Sequence, residues 1–452
     1  MCLAAFASPL LTTAAAQSVP LPAGRAGDAA KAYLAAIDAA DSLAIKAWLT
    51  RFDPEGDLIV RTNRQLLLAR RTGGFRVDGI IRSEDDAVEA TLRERNTGVQ
   101  VILELTLNAA GTADAFGLQP ITMHAGTAPT ATAADRVTGQ RDLVARLSAL
   151  ADSLASAGQF SGVISLSKRG SAVFERAYGE SNRARHTPNT LETAFNLGSI
   201  NKIFTTIAVM QLAAQGKLAL DSSLARAWPD YPNADLAKRV TVRQILQHKS
   251  GITGNIFAVP GVSTPGQVRH NRQILAAIMN TPLAFAPGSR EQYSNAGYVV
   301  LGGLIERVSG EDYYAFVEKH IFAPAGMTRS AHFANDSLPA RTAIGYSRGR
   351  ADAPASGTLS ANSGLLPGRG SAAGGGYTTI GDMKRFLAAL RSGRIPAGPP
   401  AGLGIAGGSP GVNAVLEGDL TGDYDLIVLS NFDPPSAERI AQRVRAWLGV
   451  RD

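Results

Sequence analysis

The sequence reads FNLGSINKIF at residues 195–204, and this stretch decides how the rest of the chain is interpreted. Gly198 and Ser199 interrupt the chain just before apolar residues that recur at helical spacing and stop at Gly216. We therefore expect Ser199 in the first turn of a buried helix, with Lys202 one turn further along the same face. A lysine among apolar residues loses its proton more easily, and a serine at a helix N-terminus feels the positive end of the helix dipole. The pair predicts a nucleophile beside its proton acceptor, although a capping serine followed by a surface lysine would give the same spacing.

The composition limits the class of protein. With 452 residues the chain is too long for one ordinary hydrophobic core, so we expect two domains. The formal net charge is +7 without a cluster of Lys and Arg interleaved with aromatic residues, which argues against nucleic acid as a partner. No run of 18 apolar residues occurs, so we predict no transmembrane segment. The single cysteine, Cys2, excludes a disulfide framework, and the six histidines lack zinc-binding spacing, so we predict no metal and no cofactor.

The first 17 residues are small and apolar and end in Ala14-Ala15-Ala16-Gln17, which resembles a signal-peptidase cleavage site. We predict a signal peptide at residues 1–16 and hence a periplasmic or secreted protein. The basic residues that usually open such a signal are missing, so a disordered tail is the alternative. A mature chain without Cys2 would suit an oxidising compartment without needing a disulfide.

Residues 25–122 predict a small α+β domain. A helical pattern runs from Asp28 to Phe52 with a break near Asp41-Ser42, and segments of period two follow it up to Leu107. The helix residues expected to face inward are Tyr33, Leu34, Ile37, Leu43, Ala44, Ala47 and Trp48. Helices followed by an antiparallel meander resemble the element order of the NTF2-like domains that accompany secreted hydrolases. The segment carries no catalytic constellation, so passive packing is the favoured role and recruitment of substrate is the alternative.

Residues 123–140 are small and polar without periodicity, and we predict a linker there. Residues 141–452 then open with a helix and a hairpin and close with two strands and an amphipathic helix. Strands near both ends, separated by helices, predict an α+β fold in which an antiparallel sheet is flanked by helices and interrupted by a helical subdomain. Ser199 would lie at the seam between the sheet and that subdomain.

Three further stretches contain groups that a serine nucleophile needs, namely a proton donor and backbone N–H groups for an oxyanion. Tyr293-Ser294-Asn295 precedes an apolar helix, so the phenol and the amide would project from one side of a loop. The phenol could shuttle protons with an amine, and the amide could hold both that amine and a substrate carbonyl. Glycine-rich residues 403–413 would let a substrate approach the backbone of a strand edge. Residues 374–382 are glycine-rich too, and a plain loop with a helix cap explains them equally well.

Ser-x-x-Lys at Ser199, Tyr-x-Asn at Tyr293 and a glycine-rich strand near the C-terminus occur in this order. As a set they resemble the serine β-lactamase-like and penicillin-binding protein superfamily, in its class C-like branch, over roughly residues 140–448. That branch includes D,D-peptidases, D-aminopeptidases and family VIII esterases. Supporting stretches, among them ILQHKSGI at residues 245–252, look similar too. The resemblance implies Ser199 as the nucleophile, Lys202 as its proton acceptor, Tyr293 as the acid/base partner, Asn295 as the residue that orients Lys202 and substrate, and the N–H groups of Ser199 and Gly408 as the oxyanion hole.

One position departs from the family pattern. The third motif usually reads Lys-Thr-Gly, His-x-Gly or Trp-x-Gly, whereas alignment on Gly407 and Gly408 puts Ile405 at its first position. An isoleucine cannot pair with the carboxylate that β-lactams and stem peptides ending in D-Ala carry. Arg290 or Arg369 could supply the missing charge from another loop.

We therefore predict a serine hydrolase that acts through an acyl-enzyme on small ester or amide substrates. A D-amino-acid peptidase or carboxypeptidase acting on cell-wall fragments is the first alternative. A catalytically faded binding protein is the second, favoured by Ile405 and opposed by the complete set of Ser199, Lys202, Tyr293 and Asn295. In each case the expected partner is a small molecule or a peptide, and the oligomeric state is left open.

Overall fold

A computed structural model describes residues 18–54, 58–95, 100–120, 136–257, 259–348, 359–396 and 403–450. The predicted signal peptide and most of the predicted linker lie outside these ranges. The chain divides into two compact units, Met1–Thr122 and Met123–Asp452. In the described ranges, no helix is both long enough and apolar enough to cross a bilayer.

The first unit combines helices with an antiparallel meander, as the sequence predicts. Its elements are α1 (Arg25–Asp38), α2 (Ser42–Phe52), α3 (Leu58–Thr72), β1 (Phe75–Ser83), β2 (Ala87–Glu94), β3 (Gln100–Leu107) and β4 (Ala113–Pro120). The four strands pair in the order β1-β2-β3-β4. Apolar residues of the helices and of alternate strand positions close one core, in which Trp48 Nε1 donates to the Ala29 carbonyl across 2.8 Å. The likeness to NTF2-like domains stays a prediction.

Asp41 accounts for one confirmed and one wrong prediction in this unit. Its side chain accepts hydrogen bonds from the backbone N–H groups of Leu43 and Ala44, and this cap separates α1 from α2 at the predicted break. The capped first turn faces solvent, so Leu43 is 77% exposed, against the prediction, and Ile45 and Leu49 are buried instead. Ala47 is exposed as well. Helix α3 has no counterpart in the prediction, because four arginines interrupt its apolar pattern.

The second unit is larger and mixes short helices with a long-stranded sheet. Its elements are α4 (Gln140–Ser156), β5 (Gly162–Lys168), β6 (Ser171–Tyr178), β7 (Glu180–Asn182), β8 (Thr187–Pro188), β9 (Phe195–Asn196), α5 (Lys202–Ala214), α6 (Leu224–Ala227), α7 (Ala234–Arg239), α8 (Val242–Leu246), α9 (Asn271–Ile278), α10 (Asn295–Ser309), α11 (Tyr313–Val317), α12 (Ala323–Ala325), β10 (Tyr346–Ser347), β11 (Ser360–Ala361), β12 (Tyr377–Thr378), α13 (Ile380–Arg391), β13 (Gly404–Ser409), β14 (Val412–Leu420), β15 (Tyr424–Ser430) and α14 (Glu438–Leu448). A 3₁₀ turn, Gly198–Asn201, leads into α5, and a π-helical turn, Glu318–Phe322, joins α11 to α12.

Both ends of this unit contribute strands to one five-stranded antiparallel sheet, which confirms the predicted topology. The order is β13-β14-β15-β5-β6, so a strand from the C-terminal end lies beside the first hairpin, with Val428 opposite Ile164. One face of the sheet packs on α4 and α14, and the other packs on the helices inserted between β6 and β13. Every residue of β15 is buried, as expected for a strand that helices cover on both faces.

The edge strand β13 runs directly beside the 3₁₀ turn that contains Ser199. A Cβ atom on Gly407 would lie 2.1 Å from the carbonyl oxygen of Leu197 and 2.8 Å from the backbone nitrogen of Ser199. A Cβ atom on Gly198, where φ is 51°, would lie 2.8 Å from the backbone nitrogen of Gly408. Contacts this short leave no room for a side chain at either glycine. The sheet edge and the start of α5 therefore meet at Ser199.

Candidate active site

Ser199 lies in the 3₁₀ turn itself, just before α5, rather than in the first α-helical turn that the sequence predicts. The Gly198 N–H donates to Asn196 Oδ1 across 2.9 Å, and the Ile200 N–H donates to the Leu197 carbonyl across 3.2 Å. These bonds tighten the chain around Ser199 because each closes a loop of only a few residues. The half-buried Ser199 hydroxyl contacts the side chains of two other candidate residues.

Lys202 is the first of these and is 4% exposed. Its Nζ lies 3.1 Å from Ser199 Oγ and donates to Asn295 Oδ1 across 2.7 Å and to the Ala373 carbonyl. Removing an ammonium from water disfavours its charged form, so burial lowers the pKa of Lys202 from 10.5 to about 7. The amine is therefore substantially neutral at physiological pH, which a surface lysine is not.

Tyr293 is the second contact of Ser199, and its hydroxyl donates to Ser199 Oγ across 2.8 Å. The Lys202 Nζ lies 4.8 Å from the centre of the Tyr293 ring, within the range of a cation–π contact. Burial raises the pKa of the Tyr293 phenol, and its hydrogen bond with Ser199 acts in the opposite direction. Two-fifths of this side chain stays accessible to solvent, which limits the rise, but any upward shift leaves the phenol protonated at neutral pH.

Asn295 reaches Lys202 from the start of α10. Ser294 caps this helix, with its Oγ accepting from the Gly297 N–H across 2.9 Å and donating to the Ile252 carbonyl across 2.6 Å. The cap fixes the Tyr-Ser-Asn segment so that the residues on both sides of Ser294 face the same serine and lysine. The structure thus brings Ser199, Lys202, Tyr293 and Asn295 together, although Tyr293 is 94 positions from Ser199.

The three candidates on β13 differ in what they contribute. Gly407 and Gly408 bring their backbone against the turn that contains Ser199, whereas the partly buried side chain of Ile405 packs against the edge of the core that surrounds α5. The two arginines considered as replacements for a cation are engaged elsewhere. Arg290 lies over Phe285 at 4.7 Å, and Arg369 lies over Tyr314 at 3.8 Å while its Nε donates to the His332 carbonyl.

Sequence reasoning misses the Ala373 carbonyl that accepts from Lys202. The chain around it is held by Asn201 Nδ2, which donates to the Ser371 carbonyl across 3.0 Å, and by Thr205 Oγ1, which donates to the Ala372 carbonyl across 2.7 Å. A carbonyl belongs to every residue type and leaves no trace in the sequence, and only the adjoining glycines 374–376 pointed to this loop. Its place beside Lys202 shows that this loop is more than a helix cap.

The described residues contain no group of three or more His, Cys, Asp or Glu side chains arranged to hold a metal ion. The chemical resources at Ser199 are a hydroxyl, an amine with a lowered pKa, a protonated phenol and closely packed backbone amides. This combination can deprotonate a nucleophile, protonate a leaving group and stabilise negative charge on oxygen.

Comparisons with known proteins agree with this geometry. Residues 141–446 match the family model described as Beta-lactamase. Over 221 residues the chain is 33% identical to Esterase EstB of Burkholderia gladioli, covering 46% of this chain and 56% of that protein. Over 187 residues it is 30% identical to Putative penicillin-binding protein PbpX of Bacillus subtilis (strain 168), covering 41% of this chain and 45% of that protein. The chain thus spans about half the length of these curated relatives.

A solved structure extends the likeness over a larger share of the chain. The penicillin binding protein from Bacillus halodurans superposes with a TM-score of 0.57 at 28% identity, covering 64% of this chain and 97% of that chain. The match to the family model covers well over half of the sequence and includes Ser199, Lys202, Tyr293 and Asn295 as well as β13. The chain therefore belongs to the beta-lactamase family.

Proposed function

We propose that this chain is a serine hydrolase that transfers an acyl group first to Ser199 and then to water. The observation that carries the proposal is the set of three oxygen atoms around the Lys202 amine. Asn295 Oδ1 and the Ala373 carbonyl can only accept hydrogen bonds, so they take the two hydrogens of a neutral amine. The lone pair of Nζ then faces Ser199 Oγ, 3.1 Å away, and can accept the proton of the serine.

Acylation begins as the Ser199 proton moves to Lys202 and Oγ forms a bond to the substrate carbonyl carbon. The negative charge on the carbonyl oxygen is stabilised by the N–H groups of Ser199 and Gly408, which the close approach of β13 brings near each other. The bond to the leaving group then breaks, and the leaving group takes the proton of the Tyr293 hydroxyl. The proton held by Lys202 restores the phenol. In deacylation, water attacks the ester carbon and gives a proton to Tyr293, while Tyr293 passes its own proton to Lys202. Lys202 delivers that proton to Ser199 Oγ as the ester bond breaks, which releases the acid and regenerates the enzyme.

The pKa directions favour Lys202 as the base and Tyr293 as the acid. With a pKa of about 7, Lys202 is about half neutral at pH 7, so it accepts a proton at little energetic cost. The pKa of Tyr293 is raised, so the phenol carries its proton at the same pH and can donate it. With Lys202 as the base and Tyr293 as the acid, the resting enzyme needs no deprotonated tyrosine.

For the substrate, we propose small esters or amides that need no carboxylate for binding. Ile405 occupies the motif position of the cation that would pair with a carboxylate, and its partly buried apolar side chain packs against the core instead. Among the described contacts of Ser199, Lys202 supplies the one amine, and the proposed mechanism uses it as a neutral base engaged with three oxygen atoms. A carboxylate-bearing substrate would therefore lose the ion pair that family members with Lys or His at this position offer.

The test is covalent labelling followed by an activity panel. Incubation with a fluorophosphonate and peptide mass spectrometry should locate one adduct on Ser199, and Ser199→Ala should lower ester turnover by several orders of magnitude. An unlabelled protein, or an alanine variant with wild-type turnover, would refute the hydrolase. Binding of cell-wall fragments without any labelling would favour a catalytically faded binding protein instead.

A D-amino-acid peptidase is the second candidate, because several curated relatives are named penicillin-binding proteins. It predicts cleavage of D-Ala-D-Ala peptides or of D-alanine amide at rates above those for p-nitrophenyl esters. Esterase activity with neither peptide nor amide turnover would exclude it.

We also propose export to the periplasm or the medium, supported by the small apolar residues 1–16 and the Ala-rich stretch that ends them. Expression of the gene in its own host, followed by N-terminal sequencing of the mature protein, should give a chain that begins near Gln17. A cytoplasmic protein that retains these residues would refute export.

A further inference from the structure

His248 makes three contacts around Tyr293 that the mechanism above does not use. It follows α8 and has φ 57°, a left-handed conformation that residues other than glycine rarely adopt. Its imidazole ring lies 4.7 Å from the Tyr293 ring at an interplanar angle of 36° and 5.1 Å from the Tyr298 ring at 33°. Both rings are also neighbours of Lys202, since its Nζ lies 4.8 Å from the centre of the Tyr293 ring and 5.5 Å from the centre of the Tyr298 ring. The imidazole therefore packs against two aromatic side chains that surround the amine.

The hydrogen bonds of His248 hold the chain on both sides of Tyr293. The Gln292 N–H donates to the His248 carbonyl across 2.8 Å, and the Ser294 N–H donates to His248 Nδ1 across 3.1 Å. An Nδ1 that accepts this bond carries no proton, so the neutral ring has its hydrogen on Nε2. Backbone, ring nitrogen and ring face of one residue thus define the position of Tyr293.

We infer that His248 is a positioning residue that holds the Tyr293 hydroxyl within reach of Ser199. The inference rests on the proposed hydrolase mechanism, in which Tyr293 protonates the leaving group. Tyr293 is 40% exposed, so packing in the core does not fix its orientation by itself. A displacement of the phenol by about 1 Å would lengthen its 2.8 Å contact with Ser199 and slow proton transfer, by roughly 100-fold for a loss of this size.

Three substitutions separate the contacts of His248. His248→Gly removes the ring and the Nδ1 acceptor and tolerates the left-handed backbone. His248→Asn tolerates the same backbone and restores a side-chain acceptor for the Ser294 N–H without the ring. His248→Phe keeps the ring face without the acceptor. Far-ultraviolet circular dichroism and the thermal midpoint of each variant show that it is folded before any rate is compared.

The readout is the dependence of kcat/KM on the leaving group. A p-nitrophenolate departs without a proton, whereas an alkoxide does not, so a misplaced Tyr293 should slow a methyl ester more than a p-nitrophenyl ester of the same acid. We expect His248→Gly to lower kcat/KM for the methyl ester by about 10- to 100-fold and for the p-nitrophenyl ester by about threefold or less. The kcat/KM of His248→Asn and of His248→Phe for the methyl ester should lie between those of the wild type and His248→Gly. Equal losses on both esters, or wild-type rates on both, would overturn the inference.

A double-mutant cycle with Tyr293→Phe completes the test. In the Tyr293→Phe background, His248→Gly should lower kcat/KM for the methyl ester by a further factor of less than about three, because the hydroxyl that His248 positions is gone. Full additivity of the two substitutions would overturn the positioning role. If Tyr293→Phe itself leaves the methyl ester and p-nitrophenyl ester rates unchanged, the proposed mechanism fails first. If Tyr293→Phe discriminates between the esters and His248→Gly does not, the inference about His248 alone fails.

Discussion

Replacing Asn295 by Asp is the sharpest test of Lys202 as the catalytic base. In the wild type, Asn295 Oδ1 accepts from Lys202 Nζ across 2.7 Å, and burial lowers the pKa of that lysine to about 7. Asn295→Asp keeps the shape and the acceptor but puts a carboxylate beside the amine. An opposite charge this close raises the pKa of a lysine by about 1 to 3 units, which gives a value of about 8 to 10 in the variant.

The magnitude follows from the neutral fraction of Lys202. About half of the lysine is neutral at pH 7 in the wild type, and about 10% to 0.1% would be neutral in Asn295→Asp. The kcat/KM of the variant at pH 7 should therefore fall about 5- to 500-fold and recover as the pH rises toward 10. Because the base is the deprotonated lysine, activity is present above the pKa and is lost below it, so the acid limb of the pH profile moves to higher pH.

The assay is hydrolysis of a p-nitrophenyl ester from pH 5 to 10, with the Ser199→Ala rate subtracted at each pH. Asn295→Ala is the matched control, because it removes the same amide without adding charge and should lower the rate while leaving the limb near pH 7. The reasoning fails if the acid limbs of wild type and Asn295→Asp coincide. It fails as well if the wild type shows no limb between about pH 6 and 8.

Three further changes test other parts of the site. Lys202→Met should remove the pH dependence of the unfolding free energy that the lysine causes. The pKa of Lys202 is lower in the folded than in the unfolded chain, so the unfolding free energy of the wild type relative to the variant should rise by about 1.4 kcal/mol per pH unit from about pH 7 to 10. Urea unfolding measures both values. Parallel stabilities of the two proteins across that range would contradict the burial of the amine. Gly407→Ala should lower ester kcat/KM by about 100-fold or more, because its Cβ would lie 2.1 Å from the Leu197 carbonyl oxygen, whereas Gly404→Ala on the same strand meets no atom within 4 Å and should keep its rate; equal rates in the two would refute the close approach. Ile405→Lys should lower the KM for a carboxylate-bearing ester about tenfold relative to its methyl-capped analogue, and an unchanged ratio would exclude that position from substrate recognition.

The sequence predicts best what depends on local spacing. Ser199 and Lys202 are three residues apart, so their proximity follows from a helical turn alone, and the apolar residues after them indicate burial of the amine. The inner strands of the five-stranded sheet are predictable as well, because they are rich in apolar residues and turn residues separate them. Leu43 and Ala47 show the limit of the same reasoning, since in α2, which Asp41 caps, Ile45 and Leu49 are buried in their place while Trp48 is buried as predicted.

Tertiary contacts through the backbone are what the sequence cannot predict. The Ala373 carbonyl has no residue-type signature. Its contact with Lys202 depends on hydrogen bonds that Asn201 and Thr205, about 170 positions earlier in the chain, donate to the neighbouring carbonyls. His248 lies in a stretch that resembles the family, but the sequence does not show how it contacts the chain around Tyr293. Those contacts use its carbonyl, its Nδ1 and its ring face, and their directions depend on a backbone with φ 57°. Ile405 is the converse case, because its departure from the motif is visible in the sequence while its packing against the core is visible only in the structure.

The three oxygen atoms around Lys202 come from three separate segments, and this arrangement links the chemistry to the fold. Ser199 belongs to the turn before α5, Asn295 begins α10, and Ala373 lies in the loop before β12. An amine with a low pKa exists only while these segments exclude water from it, since hydration restores the ordinary pKa near 10.5. The base is therefore a property of the packed second unit rather than of one residue. A substitution that loosens any of the three segments would raise the pKa of Lys202 and lower the rate at neutral pH without touching the four side chains themselves.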